Sequence, residues 1–289
     1  KTGIIASIGG IGKSFLSLDL ALSVAKGNGT FIGKPINKNG NVVMLSAEDD
    51  TPEIWRRVNA LDPNNERLKA LYDVFVLPIP ELPKPLTLIK NDALNGLHIT
   101  QDAYDLIDSL EAIKDLELVV IDPIQSFCSA PTNDNEVGQL WSSLMQLIAT
   151  KFNCCVLSVH HMSKQGLVAT NDPIQSRMAV RGASSFIDSS RFVISVFLCE
   201  EEEAKQICLA QGIEYDRLHG WYLGVDCKEA SATNVTIANY PDIGQANSYN
   251  PYTFSLKQFI KNTLTQVPNN STELKFDLYI GEKPSTNIS

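Results

Sequence analysis

Short apolar runs alternate with amphipathic stretches along most of the chain. In a strand with one solvent-exposed face, apolar and polar residues alternate. These runs lack that alternation, so they predict strands that are buried on both faces. They cover residues 3–7, 41–46, 73–78, 116–122, 154–160, 191–199, 221–226 and 233–238. Helical spacing of apolar residues predicts helices at residues 15–26, 101–114, 136–151 and 201–211, with another beginning near Pro52. This order predicts an α/β fold with a mostly parallel, twisted sheet and helices on both faces.

The polarity of the chain changes after Tyr240, where the sequence becomes rich in Asn, Ser and Thr. We therefore expect one α/β domain over residues 1–240 and a loosely attached polar tail over residues 241–289, with one short helix in it. Residues 80–96 are rich in Pro and Leu and predict a loop or hairpin insertion. The polar, irregular residues 162–180 predict a long loop.

The composition excludes several classes of protein. Hydrophobic residues make up 44% of the 289 residues and charged residues 20%, which excludes a largely disordered chain, a collagen-like repeat and a coiled coil. No apolar run reaches the roughly 18 residues that a membrane helix needs, so we expect no membrane association and a cytoplasmic location. The chain starts at Lys1, almost directly before a strand, so we expect a further segment to precede it.

The cysteines and the net charge argue against two further classes of protein. The chain contains 6 cysteines without CxxC spacing, which favours buried free thiols in a reducing compartment over a zinc site. The net charge of −9 argues against a protein that coats nucleic acid generally, although a few basic residues on a loop could still contact a strand.

A glycine-rich loop joins the first predicted strand to the first predicted helix. Backbone N–H groups in such a loop can wrap phosphates, Lys13 can supply positive charge, and Ser14 can offer its hydroxyl to Mg²⁺. The usual Walker A loop begins with glycine, and Ser7 stands at that position here. The alternative to a phosphate-binding loop is a surface loop that contains these residues by chance. The predicted nucleotide-binding residues are Gly9, Gly10, Ile11, Gly12, Lys13, Ser14 and Phe15.

Acidic residues follow two of the predicted strands. Asp122 ends an apolar run in the Walker B manner, which suits a metal-side carboxylate for Mg²⁺; the alternative is a helix cap. Glu48 follows residues 41–46 and is the candidate base that activates water; the alternative is a solvated acidic loop that caps the next helix. Parallel strands place both residues at the same edge of the sheet.

Two adjacent histidines, His160 and His161, end another predicted strand. Taken alone, they indicate a polar exit from the sheet. Beside Asp122 at the same edge, a neutral imidazole could sense the γ-phosphate by hydrogen bonding and pass the signal to the loop that follows.

These motifs occur in a fixed order: residues 7–14, 45–49, 119–122, 159–164 and 181–185. The order and the amino-acid sequences of these motifs resemble those of the RecA-like ATPases of the RepA group, the small hexameric plasmid replicative helicases. They resemble those of the DnaB motor domain more distantly. The resemblance implies a RecA-like P-loop fold, ATP with Mg²⁺, and a ring with its sites between subunits.

The resemblance also implies residues that act on the neighbouring subunit's nucleotide. Arg191 matches the arginine finger, with a strand-start ion pair as the alternative. Lys228 matches a second basic position, with a solvated edge lysine as the alternative. Residues 162–180 match the central-channel loop, so Lys164, Arg177 and Arg181 are the candidate DNA contacts; the alternative is an ordinary surface loop.

The first functional hypothesis is an ATP-driven DNA helicase or translocase that replicates a plasmid, phage or mobile element. It would act as a homohexamer or another ring on single-stranded DNA, and a replication initiator or loader is an expected partner. The alternatives are a DNA-associated regulatory or repair ATPase and a nucleotide-dependent assembly module, neither of which unwinds DNA.

Overall fold

The structure is a computed structural model, and it describes residues 1–7, 9, 12–27, 30–31, 34–132, 134–161, 184–198, 202, 205 and 221–227. The side chains of the last segment lie outside this description. Several sequence predictions fall outside the described residues: the loop 162–180, the helix 201–211, the strand 233–238 and the tail 241–289 with its boundary at 240.

The described strands form one large sheet and two small ribbons. The strands are β1 (Thr2–Ser7), β2 (Thr30–Phe31), β3 (Lys34–Pro35), β4 (Asn41–Ser46), β5 (Val74–Pro78), β6 (Ile89–Asp92), β7 (Gly96–Ile99), β8 (Leu116–Asp122), β9 (Cys155–His161), β10 (Phe192–Leu198) and β11 (Trp221–Cys227). The large sheet has the order β11-β10-β1-β9-β8-β4-β5. Within it β10, β1, β9, β8, β4 and β5 are parallel, and β11 joins the edge antiparallel to β10.

Helices cover both faces of the large sheet. They are α1 (Lys13–Lys26), α2 (Thr51–Leu61), α3 (Gln101–Leu110), α4 (Asn135–Lys151) and α5 (Ser184–Asp188). Apolar residues of α1 and α2 pack on one face, and those of α3, α4 and α5 pack on the other. The predicted mostly parallel sheet between two helical layers is therefore confirmed.

The helix ends follow from local chemistry. Gly12 precedes α1 with φ 89°, and Gly27 follows it with φ 79°; both angles lie in the left-handed region that glycine tolerates best. Asp50 caps α2 by accepting a hydrogen bond from the Glu53 N–H at 3.0 Å. The helix predicted to begin near Pro52 is confirmed, and Thr51 is its first residue.

Differences from the sequence predictions are small and local. The third helix ends at Leu110 and not at residue 114, because residues 111–113 form only turn hydrogen bonds. The insertion at residues 80–96 contains the ribbon β6–β7, whose second strand continues to Ile99. Cys128, Cys154 and Cys155 are free thiols, as expected. Within the described residues, no helix is long and apolar enough to cross a membrane.

Candidate nucleotide-binding site

Strand alternation brings four polar residues to the same face and the same end of the sheet. The apolar residues Ile5, Met44, Val120 and Val159 belong to the cluster that packs under α1 and α2. Two positions further along each strand, and therefore on that same face, stand Ser7, Ser46, Asp122 and His161. The strand register places Ser7 opposite His161 and Ser46 opposite Asp122. These four residues thus form a polar surface at the carboxyl end of the sheet, beneath the start of α1.

Lys13 is the first residue of α1, and its side chain contacts this polar surface. Its Nζ donates to Ser7 Oγ at 3.1 Å and lies 3.4 Å from the Ser7 carbonyl oxygen. It also lies 3.3 Å from His161 Nδ1. Burial lowers the pKa of the Lys13 ammonium, while the negative charges of Asp122 and Glu48 act in the opposite direction. The ammonium is therefore a buried cation surrounded by acceptors.

Asp122 and Ser14 form the second part of the site. The carboxylate is 3% exposed and accepts a hydrogen bond from the Ser14 side chain. Burial raises the pKa of Asp122 to about 6, and the nearby Glu48 and Asp49 raise it further, whereas the Ser14 hydrogen bond and Lys13 lower it. A hydroxyl and a buried carboxylate beside a cationic lysine match the oxygen ligands that Mg²⁺ takes in phosphate sites.

Glu48 lies on the loop between β4 and α2, and its side chain faces His161. Glu48 Oε1 is 3.5 Å from His161 Nε2. The hydrogen bond with His161 is the largest reason why the pKa of Glu48 is lowered; burial opposes it, and the charges of Lys13 and Arg57 support it. An ammonium can only donate, so His161 Nδ1 accepts from Lys13 and Nε2 carries the proton that faces Glu48. Lys13, His161 and Glu48 thus form one hydrogen-bonded chain.

The two adjacent histidines have separate environments because successive residues of β9 face opposite sides of the sheet. His160 is fully buried on the α4 and α5 side, where its ring stacks on Phe186 with centroids 5.3 Å apart. The Gln125 amide nitrogen donates to His160 Nδ1 at 2.6 Å. The sequence left both histidines open as phosphate sensors, whereas the structure puts His161 alone beside Lys13 and Glu48.

One residue near the site, Arg57, was not found from the sequence. Arg57 of α2 contacts Asp49 with 2.5 Å between Nη1 and Oδ2, and its guanidinium lies 5.3 Å from the centre of the Phe15 ring. The Phe15 side chain is buried under α2, so its backbone N–H is the group that can face a phosphate. The Glu-Arg spacing of residues 53 and 57 was the available signal, because such pairs stabilise a helix.

Arg191 lies at the opposite end of the sheet. It directly precedes β10, and its backbone N–H donates to the Thr2 carbonyl at 2.9 Å. The lysine site instead follows Ser7, about 16 Å away along the strands at the usual rise per residue. The structure therefore does not bring Arg191 close to Lys13 of the same chain. Gly9 and Gly12 are described at the loop, while Gly10, Ile11, Lys164, Arg177, Arg181 and Lys228 lie outside the described residues.

Six parallel strands between two layers of helices, with a glycine turn leading from the first strand into α1, define a RecA-like α/β P-loop fold. Residues 1–166 match the AAA domain family. The match spans more than half of the chain, and the chain belongs to this family.

Solved structures that resemble the chain include a DnaB-like replicative helicase described with its interactions with primase. The two share 12% sequence identity with a TM-score of 0.48. The alignment covers 79% of this chain and 52% of that one, so the chain spans about half the length of this neighbour.

Proposed function

We propose that this protein is a Mg-ATP-hydrolysing motor, a homohexameric DNA helicase or translocase that serves the replication of a plasmid, phage or mobile element. The observation that carries the ATPase part is the convergence of Lys13, Ser14, Glu48, Asp122 and His161 at one end of the sheet. Membership of the AAA domain family supports nucleotide binding.

Lys13 and the loop before it are the proposed phosphate-binding group. Gly12 and the first turn of α1 present backbone N–H groups and the positive end of the helix dipole. Lys13 would exchange its contact with His161 for the phosphate oxygens. Ser14 and Asp122 would hold Mg²⁺, which when bound neutralises phosphate charge. The hydrogen bond that the Ser14 side chain makes to Asp122 supports this assignment.

Glu48 is the proposed general base. Its pKa is lowered, so the carboxylate is ionised near neutral pH, and 53% of its side chain is exposed to the solvent that would supply the attacking water. His161 is the proposed γ-phosphate sensor, because Lys13 can draw away from it only when a phosphate offers better acceptors. His160 would transmit this change, since it links the strand end to Phe186 of α5.

The ring and its DNA contacts extend the proposal beyond one subunit. Arg191 is exposed at the sheet end away from its own site, which suits a finger that acts on a neighbour's nucleotide. Lys228 is a second proposed residue of this kind. Lys164, Arg177 and Arg181 would contact the phosphates of single-stranded DNA, and an initiator or loader is the further proposed partner.

The deciding experiment is steady-state ATP hydrolysis with and without single-stranded DNA at low salt. A motor should hydrolyse ATP faster on DNA, and replacing Lys164 and Arg177 with Gln should weaken DNA binding and flatten its salt dependence by about one unit per lost phosphate contact. Hydrolysis that ignores DNA would instead favour a regulatory or assembly ATPase, which the net charge of −9 also suits.

A further inference from the structure

The loop that carries Glu48 is fixed at both of its ends. The Ala47 N–H donates to the Asp122 carbonyl oxygen at 2.8 Å, which ties the start of the loop to β8. At the other end, Asp50 caps α2. Between these anchors, the position of Asp49 affects how the Glu48 side chain is presented to His161, because Glu48 and Asp49 share a peptide unit.

Arg57 holds Asp49 from the first turns of α2. Its Nη1 lies 2.5 Å from Asp49 Oδ2, and its Nε donates to Glu53 Oε1 at 2.8 Å. The Arg57 side chain is 19% exposed and that of Asp49 is 11% exposed, so water screens this pair less than it screens a surface pair. Burial raises the pKa of Asp49 and Arg57 opposes it, while Glu48 and Asp50 raise it and Arg56 lowers it.

The same guanidinium also covers Phe15, which directly follows Ser14 in α1. Arg57 therefore bridges the two chain segments whose spacing sets the distance between the phosphate loop and the candidate base. A planar guanidinium can pair with a carboxylate at its edge and stack on an aromatic ring with its face, which a lysine cannot do equally well.

We propose that Arg57 is a positioning residue for ATP hydrolysis, which fixes the Glu48–Asp49 loop over the first turn of α1. This inference rests on the proposed function, because it assigns Arg57 to the presentation of Glu48. It does not require Arg57 to touch the nucleotide.

The test compares Arg57→Gln with Arg56→Gln in the full chain. Arg56 is a matched control, because it is the preceding residue of the same helix, pairs with Glu53 at the surface and is 47% exposed. For Arg57→Gln we expect kcat to fall about 10- to 100-fold with KM for ATP changed less than about 3-fold, since a misplaced base lowers the rate more than it lowers binding. Arg56→Gln should keep both constants within about 2-fold.

Two further variants separate positioning from folding. Arg57→Lys keeps the ion pair without the planar stack and should recover part of kcat. Asp49→Asn should lower kcat by itself, and adding Arg57→Gln should lower it little further if the two residues act as one unit. Fully additive losses would contradict the proposed coupling.

Each alternative result has a distinct meaning. If the wild-type protein shows no ATP turnover, the proposed function falls and this inference falls with it. If the wild type is active and Arg57→Gln keeps its kcat, only the inference falls. A rise in KM at unchanged kcat would show that Arg57 contacts the nucleotide directly, and that result also overturns the positioning role.

Discussion

At the scale of single residues, the notable property of Lys13 is that its charged side chain is buried. It is 6% exposed, and its ammonium depends on Ser7 and His161 for hydrogen bonds. Burying this cation costs desolvation free energy, which the lowered pKa of Lys13 reflects. The residue is therefore poised to exchange its protein acceptors for phosphate oxygens.

Lys13→Ala should abolish ATP turnover, with a loss of at least about 100-fold, because it removes the cation that stabilises the phosphate charge. The fold should survive, since the substitution also removes the desolvation cost. Steady-state hydrolysis measures the first effect and thermal unfolding the second. Lys84→Ala is the control, because that lysine is 74% exposed and pairs only at the surface with Asp102. Unchanged turnover in Lys13→Ala would remove the site assignment.

Glu48→Gln should bind ATP but hydrolyse it at least about 100-fold more slowly, because the amide cannot accept the proton of the attacking water. Asp50→Asn is the control from the same loop, since asparagine caps a helix about as well as aspartate. Binding of a fluorescent ATP analogue and single-turnover hydrolysis separate the two steps. Loss of binding in Glu48→Gln would assign Glu48 a structural or metal role.

The sequence indicated most of these side chains because their motifs join chemistry to strand ends. The sequence could not show which of His160 and His161 lies beside Lys13, since this depends on which face of β9 packs against α1. It also missed Arg57, whose partners Asp49 and Phe15 stand 8 and 42 positions away in the chain. Contacts across elements are determined by packing, and local spacing does not encode them.

At the scale of elements, α1 carries a half-buried acid, Asp19, that the proposed chemistry does not use. Burial raises the pKa of Asp19 to about 6, and the charge of Lys26 only partly opposes this effect. An acid whose pKa is raised in the folded state binds protons more tightly there than in the unfolded chain. The folded state therefore loses stability as the pH rises from about 4 to about 6, the unfolded and folded pKa values.

Asp19→Asn should remove this pH-dependent loss. Above pH 6 we expect the free energy of unfolding to rise by about 1–3 kcal/mol, and below pH 4 we expect little change. Urea unfolding of the nucleotide-free variant and wild type at pH 4 and pH 8 makes the comparison. An equal effect at both pH values would show that the amide acts by packing and not by charge.

Elements with strong end signals were predicted within a few residues, whereas β6–β7 and the end of α3 were not. The strand β4 and the strand β8 have the bounds that their apolar runs predict. The insertion contains Asn95-Gly96, a turn dipeptide, and Gly96 has φ 62°. The strand β7, which begins at Gly96, is short and only partly buried, so its sequence carries little periodic signal.

At the scale of the whole molecule, alternating strands and helices predicted the parallel sheet, but not which strands would be neighbours. The order places β1 between β9 and β10, far from its neighbours in the chain. That order brings Ser7 beside His161 at one end and Thr2 beside Arg191 at the other. The chain therefore presents its lysine site and its Arg191 at opposite ends of the sheet.

This separation makes a prediction about mixed assemblies. Lys13→Ala and Arg191→Ala should each be nearly inactive, the first because its own site fails and the second because it supplies no arginine to its neighbour. In a mixed ring, an Arg191→Ala subunit still has Lys13, and a Lys13→Ala neighbour still has Arg191. About a quarter of the interfaces in an equimolar random ring would be complete, so about a quarter of wild-type turnover should return.

The matched control for this mixture is Lys13→Ala with Glu48→Gln. Both substitutions disable the same side of an interface, so no arrangement of these subunits contains a complete site, and mixing should restore nothing. The measurement is ATP hydrolysis after the two variants have been unfolded, combined and refolded together, with size-exclusion chromatography to establish that a ring has formed. If the rings form and the Lys13→Ala and Arg191→Ala mixture stays as inactive as its components, Arg191 does not act across the interface.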